Sequence, residues 1–332
     1  MSTDVSIVIP CFNEQDYIGQ CIDSFFQQTD GLTIEVLVID GMSTDNTREV
    51  IQAKQKTYPG TIQIIDNKKK KTPYALNLGI ENSTGKYTLI ASAHSSFDSD
   101  YISAIVKQFD TTDADIIGGV METKVLNETP KSLSIVAVLS NKFGVGNSMF
   151  RVGIDRPQLV DTVPFGIYKT ELLKSIGGYD VRLIRNHDIE MSKRILAMGH
   201  KILLLPKPKC YYYARENFTG IYKNNFRNGN WNIKTVYITK KFSSLSLRHF
   251  IPLLFLLSLV LPLLLSYIFV WFAFLSLLSL VIYAALVFSQ AVSIKKENPK
   301  ASILYAFICF FVLHFGYGLG SLLGLLSFKK LF

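Results

Sequence analysis

VSIVIPCFNE at residues 5–14 and IEVLVIDGMSTDNT at residues 34–47 decide the fold. Each opens on a short β-branched run that is apolar at nearly every position instead of at every second one, the pattern of a strand buried on both faces of a parallel sheet. Val5–Pro10 and Ile34–Ile39 are those strands, and the second stops at Asp40-Gly41. Between them, Asn13–Gln28 carries Ile18, Cys21, Ile22 and Phe25 at helical spacing on one face. Ser43, Thr44 and Asp45 suit the cap of a helix that starts about Thr47 and carries Val50 and Ile51. Working outward, Thr61–Ile65 reads as a third strand, Pro73–Glu81 as a helix and Tyr87–Ala91 as a fourth strand. Strand–helix alternation of this kind predicts an open α/β sheet, and such sheets bind ligands beyond the carboxyl ends of their strands. Asp40 and Ser92–His94 both fall at such ends. Farther along, Asp115–Val120 is predicted as a strand, 121–163 as loop-rich, Thr162–Tyr168 as strand-like, Asp188–Met198 as an amphipathic helix and Lys201–Leu205 as an apolar strand.

The last quarter of the chain obeys a different solvent. Of 332 residues, 48% are hydrophobic and 18% charged, which excludes a disordered chain. His249–Ile294 has no Asp, Glu, Lys or Arg in 46 residues, and Ala301–Phe328 has none in 28. At 1.5 Å per residue across a core of about 30 Å, the first run predicts two spans near 250–266 and 269–292, turning at Ser266–Tyr267. The second predicts a third span near 303–326. Lys295, Lys296 and Lys300 make the loop between spans two and three the basic one, which assigns that loop and residues 1–248 to the cytoplasm. That count leaves the chain end outside, against the pull of Lys329 and Lys330. Gly316, Gly318, Gly320 and Gly324 permit close helix contact, although glycine is also simply common in membrane helices. Val5–Pro10 is too short and lacks a basic flank for a secretory leader. The organisation predicted is a domain over 1–235 followed by an interfacial segment and helices over 236–332.

Charge and cysteine usage narrow the chemistry. Residues 249–332 hold five of the 35 basic residues and one of the 26 acidic ones, so the polar part is only mildly basic. Nucleic acid is therefore not called for as a partner, whereas anionic lipid headgroups suit such a surface. Cys11, Cys21, Cys210 and Cys309 are scattered without a paired motif, so neither a disulfide framework nor a zinc ribbon is encoded.

Five segments together resemble the family 2 glycosyltransferases, in the branch that builds bacterial exopolysaccharides of the succinoglycan type. They are VSIVIPCFNE (5–14), VLVIDGMSTDNT (36–47), TPYALNLGI (72–80), GKYTLIASAH (85–94) and GGYDVRLIRNHDIEMSKRI (177–195), and the likeness covers about residues 4–235. His314–Gly320 matches the family's C-terminal membrane motif. The resemblance implies a GT-A type α/β domain, a sugar-nucleotide donor and a divalent metal, Mn²⁺ or Mg²⁺. By position it implies that Pro10, Phe12, Asn13 and Glu14 hold the base and ribose, with Asp40 accepting from the uracil N3–H. Asp40 equally suits a strand-end cap of the next helix. Lys71, Asn77, Ser92 and Ala93 complete the implied nucleotide-sugar set, and the lysine run 68–71 is either a phosphate contact or a solvated loop.

Ser92-Ala93-His94 stands where the family carries Asp-x-Asp or Asp-Ala-His, so His94 is the implied metal ligand and a serine replaces the first carboxylate. A neutral imidazole suits Mn²⁺ better than Mg²⁺. Asp188 matches the family's catalytic aspartate, the base that takes the acceptor hydroxyl proton; it also fits a helix cap. Glu190 and Arg194, four apart, predict an ion pair worth a few tenths of a kcal/mol. Gly178 lies in an implied acceptor-side loop, and Arg227 and Trp231 sit where relatives carry a Gln-x-x-Arg-aromatic segment. Phe218, Tyr222, Phe226 and Trp231 at near-helical spacing also describe a helix lying on a membrane surface. The function implied is an inverting, membrane-anchored transferase moving a sugar from a UDP-sugar to a polyprenyl-linked glycan. A processive polysaccharide synthase and a degenerate, non-catalytic assembly subunit are the competing readings.

Overall fold

The computed structural model describes residues 3–27 and 31–326; Gln28 at the end of the first expected helix, and Lys329 and Lys330, lie outside them. The chain divides into two compact units, Met1–Glu122 with Gly153–Tyr213, and Thr123–Val152 with Ala214–Phe332. Residues 214–235, read from sequence as part of the first domain, group with the apolar helices.

The first unit is built on β1 (Val5–Cys11), α1 (Ile18–Phe26), β2 (Ile34–Asp40), α2 (Thr47–Thr57), β3 (Ile62–Asp66), α3 (Thr72–Asn82), β4 (Tyr87–Ile90), β5 (Ser95–Phe97), α4 (Tyr101–Gln108) and β6 (Ile116–Lys124). Strand β1 lies parallel between β2 and β4, and β2 is parallel to β3. Val5, Ile7, Val8, Ile9 and Val36–Ile39 are all fully buried, both faces of each strand alike, which is why their sequence does not alternate. Ile18, Cys21, Ile22 and Phe25 form the buried face of α1. That helix starts at Ile18, not Asn13. The amides of Asn13 and Glu14 donate to the hydroxyls of Ser43 and Thr47 (2.9 and 2.8 Å), so the intervening residues serve a loop junction before the helix begins.

Within the second unit's first stretch come α5 (Pro130–Leu139), α6 (Lys142–Val145) and α7 (Met149–Val152). Three helices therefore interrupt the region, 121–163, expected to be loop-rich. The start signal of the first is legible in retrospect: Thr129 and Ser132 form a reciprocal capping box with Pro130 at the first helical position.

Back in the first unit, β7 (Gln158–Leu159), β8 (Ile167–Lys169), α8 (Thr170–Ser175), α9 (His187–Ala197) and β9 (Ile202–Tyr213) complete a mixed sheet of order β3-β2-β1-β4-β8-β6-β9-β5, with β7 on β9. Strand β9 runs past Pro206 and Pro208, where the sequence suggests a stop. It does so because β7 pairs with Leu203–Leu204 and β5 with Cys210–Tyr212, on either side of the prolines.

The second unit continues with α10 (Phe218–Thr239), α11 (Ile251–Leu265), α12 (Trp271–Glu297) and α13 (Ile303–Leu326). The stretches Leu247–Leu265, Trp271–Glu297 and Ile303–Leu326 are long and apolar enough to cross a membrane. Helices α11 and α12 form a hairpin joined by Ser258 to Ser279 (2.7 Å) and by Ser276 to the Leu259 carbonyl (2.7 Å). The glycine-rich face of α13 does make a close helix contact, and its partner is α10. Backbone oxygens of Phe226 and Tyr317 sit where Cβ atoms on Gly320 and Gly229 would fall.

Gly119 in β6 meets the same constraint inside the sheet, since a Cβ there would overlap the Pro208 carbonyl oxygen of β9. Gly119→Ala is expected to destabilise the first unit by about 2–3 kcal/mol, an overpacking loss that no rotamer relieves. In a thermal melt of the purified protein this reads as a fall of several degrees; an unchanged transition refutes the close approach.

Candidate active site

The register of β1 on β2 places Cys11 opposite Asp40, so both strands end together and hand their loops to the same edge. The Gly41 amide donates to the Cys11 carbonyl (2.8 Å), and Thr44 donates to Asn13 Oδ1 (2.9 Å). Asn13 and Met42 take left-handed backbone conformations (φ 55° and 63°) to make these turns. Asparagine tolerates that region, while Met42 is held there by the surrounding bonds. In place of an Asn46 side-chain cap, Asp45 accepts from the Thr47 amide and hydroxyl (3.1 and 2.6 Å) at the start of α2.

Asp40 is fully buried and its carboxylate is organised on both oxygens. Ser43 Oγ donates to Oδ1 (2.6 Å) and Arg48 Nη1 to Oδ2 (2.7 Å); the same Nη1 reaches Asp66 Oδ1 (2.8 Å). The Ser43 amide adds a bifurcated contact, 3.2 Å to each of the two oxygens. The carbonyl of Asp40 accepts from Asn67, whose side chain shapes the turn through Lys69 and Lys71. The lysine run is thereby fixed at the carboxyl edge beside Asp40, with Lys71 exposed at the start of α3.

The β4 end supplies the third component. Ser92-Ala93-His94 turns sharply, with Ser95 Oγ donating to the Ser92 carbonyl (2.7 Å) and Ala93 buried. His94 is exposed; its Nδ1 lies 3.4 Å from Glu14 Oε1 and its Nε2 lies 3.2 Å from Ser92 Oγ. Burial, reinforced by the charges of Asp40, Glu14 and Asp45, pushes the Cys11 thiol up to about 12. Burial likewise raises Cys21 to about 12, so neither provides a thiolate at neutral pH.

This donor set bears directly on a metal. One carboxylate, one imidazole and one neutral hydroxyl converge, and no group of three or more His, Cys, Asp or Glu suited to a metal occurs among the described residues. Such a set fits a borderline divalent cation when an anionic ligand contributes further oxygens, and does not form a closed site by itself.

Asp188 is exposed in the first turn of α9, following Asn186 at φ 60°. Beneath it lie two buried phenols: burial raises Tyr168 to about 12, with the Asp188 charge adding to it, and burial raises Tyr179 in the same way. Gly178 is buried. Asn77 holds the adjacent backbone from α3, donating to the Tyr179 carbonyl (2.9 Å) and accepting from its amide (2.7 Å). Arg194 holds it from α9, donating to the carbonyls of Ile176 (2.6 Å) and Gly178 (2.7 Å) while paired with Glu190 (3.1 Å). The expected ion pair is present and also clamps the Gly177-Gly178 turn, and Asn77 belongs to the same clamp.

Of the residues singled out by sequence, Pro10, Phe12, Asn13, Glu14, Asp40, Ser92, Ala93, His94 and the lysine run share the carboxyl edge of the parallel strands. Phe12 exposes half its surface there. Gly178 and Asn77 meet at the second loop. Arg227, exposed, and Trp231, under Lys234 at 5.2 Å, lie on α10 in the second unit. Arg48 and Asp66 have no place in the sequence reading, and Ser43, expected at the cap of the next helix, instead donates to Asp40. The only sequence signal for the Arg48–Asp66 pair is an arginine in the first turn of the helix that follows Asp40.

The profile of glycosyl transferase family 2 matches residues 6–177, which include all three strand-end loops. The chain belongs to that family. This family 2 glycosyltransferase is 28% identical over 254 residues to the succinoglycan biosynthesis protein ExoA of Rhizobium meliloti, covering 76% of this chain and 75% of that one. It is also 28% identical over 233 residues to a dolichyl N-acetyl-α-D-glucosaminyl phosphate 3-β-D-2,3-diacetamido-2,3-dideoxy-β-D-glucuronosyltransferase of Methanococcus voltae, covering 68% and 71%. Its fold resembles that of a Pyrobaculum calidifontis mannosyltransferase solved with GDP-Man and Mn²⁺ (TM-score 0.61, 15% identity, 99% of this chain and 88% of that one). It also resembles residues 1–349 of S. aureus TarS with UDP-GlcNAc (TM-score 0.54, 14% identity, 99% and 92%). The glycosyltransferase is therefore a GT-A enzyme followed by an apolar helical region.

Arg48→Ala leaves the buried Asp40 carboxylate with Ser43 as its remaining side-chain donor. A loss of about 2–3 kcal/mol is expected, less than for a wholly buried pair because Arg48 is one-third exposed. Equilibrium unfolding of the variant against the parent measures it, and a change under about 0.5 kcal/mol would show the bridge to be dispensable.

Proposed function

We propose that the enzyme transfers a sugar, with inversion, from a UDP-sugar to a polyprenyl-linked glycan at the cytoplasmic face of the cell membrane, in exopolysaccharide or capsule biosynthesis. The observation that carries this reading is the convergence of Asp40, Glu14 and His94 at one sheet edge with an exposed carboxylate, Asp188, at the head of α9. The lipid-linked acceptor is supported by the activity named for the Methanococcus relative, and the polysaccharide context by the name of the Rhizobium one. The basic loop Lys295–Lys300 supports the cytoplasmic placement.

Asp40 presents an oriented acceptor to the N3–H of uracil, which cytosine lacks. Phe12, Pro10 and Asn13 flank the base and ribose, and Lys71 with its neighbours faces the diphosphate. His94 and Glu14 would hold a divalent cation, Mn²⁺ before Mg²⁺, that neutralises the diphosphate when bound. Asp188 accepts the proton of the acceptor hydroxyl as that oxygen bonds to the anomeric carbon from the face opposite the nucleotide. The bond between that carbon and the diphosphate oxygen breaks, and UDP leaves. Arg227 and Trp231 are proposed contacts of the lipid diphosphate and its sugar. Anchoring matters because a polyprenyl-linked acceptor is confined to the membrane, and tethering raises its effective concentration.

Asp188→Asn is expected to cut sugar transfer from a panel of UDP-hexoses into lipid extract by about 10²–10⁴-fold, with UDP affinity unchanged. Retained turnover rejects Asp188 as the base. Calorimetry with UDP, with and without Mn²⁺, tests the other end of the site: the parent should bind more tightly with Mn²⁺, and His94→Ala should abolish the difference. One observation favours a second reading, a non-catalytic assembly subunit: Ser92 replaces a carboxylate and leaves no three-residue metal cluster among the described residues. No UDP binding under either condition would select that reading.

A further inference from the structure

Composition marks three helices as possible spans, yet their surroundings are unequal. The apolar windows of the first two candidate spans, Leu247–Leu265 and Trp271–Glu297, are 11% buried, and that of α13 is 39% buried. What covers the glycine-rich C-terminal half of α13 is a polar helix. Tyr222 lies beside Gly316, the Phe226 carbonyl beside Gly320, and Asn230 with Ile233 beside Gly324, so α10 and α13 run in the same direction in backbone contact. Asn232 Nδ2 donates to the Tyr317 hydroxyl (2.5 Å) and Ser321 Oγ to the Gly229 carbonyl (3.1 Å) along the same seam. Two helices this close lie at the same depth. Yet α10 carries Lys223 and Arg227, both exposed, together with Lys234 and five asparagines between 224 and 232. Exposed charges at the centre of a helix are expensive in hydrocarbon.

The hairpin gives an independent measure of depth. Its base is marked by Ile251 and Glu297, and its tip by Ser266–Val270. Helix α12 shares a buried cluster with α13 through Tyr283 at its mid-length and Val287, Ala291 and Ile294 in the half nearer the base. Tyr283 Oη lies 2.8 Å from His314 Nδ1 and its ring stacks on Phe255, in the second turn of α11. Toward the tip, Leu275, Leu277, Leu278, Val281 and Ile282 remain exposed. By Gly318, α13 has come beside Pro252 at the very start of α11. Its last eight residues, about 12 Å of helix, then follow α10 and not the hairpin.

We propose that α13 does not cross the bilayer: α10 and α13 form a paired platform at the membrane interface, and the two helices of the α11–α12 hairpin make the two crossings among the described residues. The occupant of the platform's outer face is the headgroup region of the bilayer, to which Lys223, Arg227 and Lys240 are complementary. An even number of crossings returns the end of α13 to the side from which the hairpin enters.

Two measurements on the full-length protein in bacterial membranes decide the matter. Fusion of green fluorescent protein after Phe332 should fluoresce and fusion of alkaline phosphatase there should be inactive. The reverse pair overturns the proposal. Arg227→Cys, at mid-length of α10, should react with a membrane-impermeant maleimide in inside-out vesicles as fully as Lys69→Cys. The four native cysteines are buried and give a low background. Arg227→Cys that stays unlabelled from both faces, or is labelled with Tyr267→Cys from the tip side, would place α10 and α13 across the bilayer and overturn the proposal. Neither readout depends on the sugar chemistry, so it stands or falls separately from the assigned activity.

Discussion

The hydrogen-bonded ladder between β1 and β2 is the constraint on which the catalytic unit depends. A parallel pair needs a crossover helix, and with both faces of β1 buried its hydroxyl at Ser6 is tied up by Glu35 and the Gly85 amide and is closed to ligand. Everything that meets water or ligand is displaced to the strand ends. The register, Cys11 opposite Asp40, fixes where those ends stop. The loops of residues 12–15 and 41–47 then satisfy each other's amides instead of starting their helices early, giving a rigid rim of hydroxyls and carboxylates. The site follows from strand pairing more than from any one side chain.

That dependence explains what the sequence disclosed. The parallel strands were legible within a residue or two, because burial on both faces leaves an uninterrupted apolar signature. The hairpin was legible because hydrocarbon admits no charge over the required length. The length of β9 was not, since Pro206 and Pro208 look like breakers until its partners are known to pair on either side of them. Helix α5 was obscured for a related reason. Its buried positions, Ile135 and Val138, answer to a cluster formed mainly by α12 and α13, far away in sequence, so no local period announces them.

The site divided along the same line. Asp40, Glu14 and His94 occupy strand ends and could be placed by counting. Arg48 could not: its role is to neutralise a carboxylate eight positions earlier and another eighteen later, a relation set by the spacing of β2 and β3. Arg194 reads in sequence as half of a helical ion pair, yet its guanidinium also donates to two backbone carbonyls. In both cases a planar fork of donors is used to satisfy several acceptors at once, which charge patterning along one helix does not reveal.

The discontinuity of the second unit has a practical corollary for anyone dividing the protein. Residues 123–152 leave the catalytic sheet, join the apolar helices and return. Ser134 shares two hydrogen bonds with Ser302, and Asn141 reaches Gln290. Cutting the chain before the first apolar helix therefore strips the partners from α5 and from the glycine seam of α10, laying bare surfaces shaped for backbone contact. The catalytic part is not separable at one peptide bond. A soluble derivative needs the excursion at 123–152 replaced as well as the C-terminal region removed from residue 214 onward.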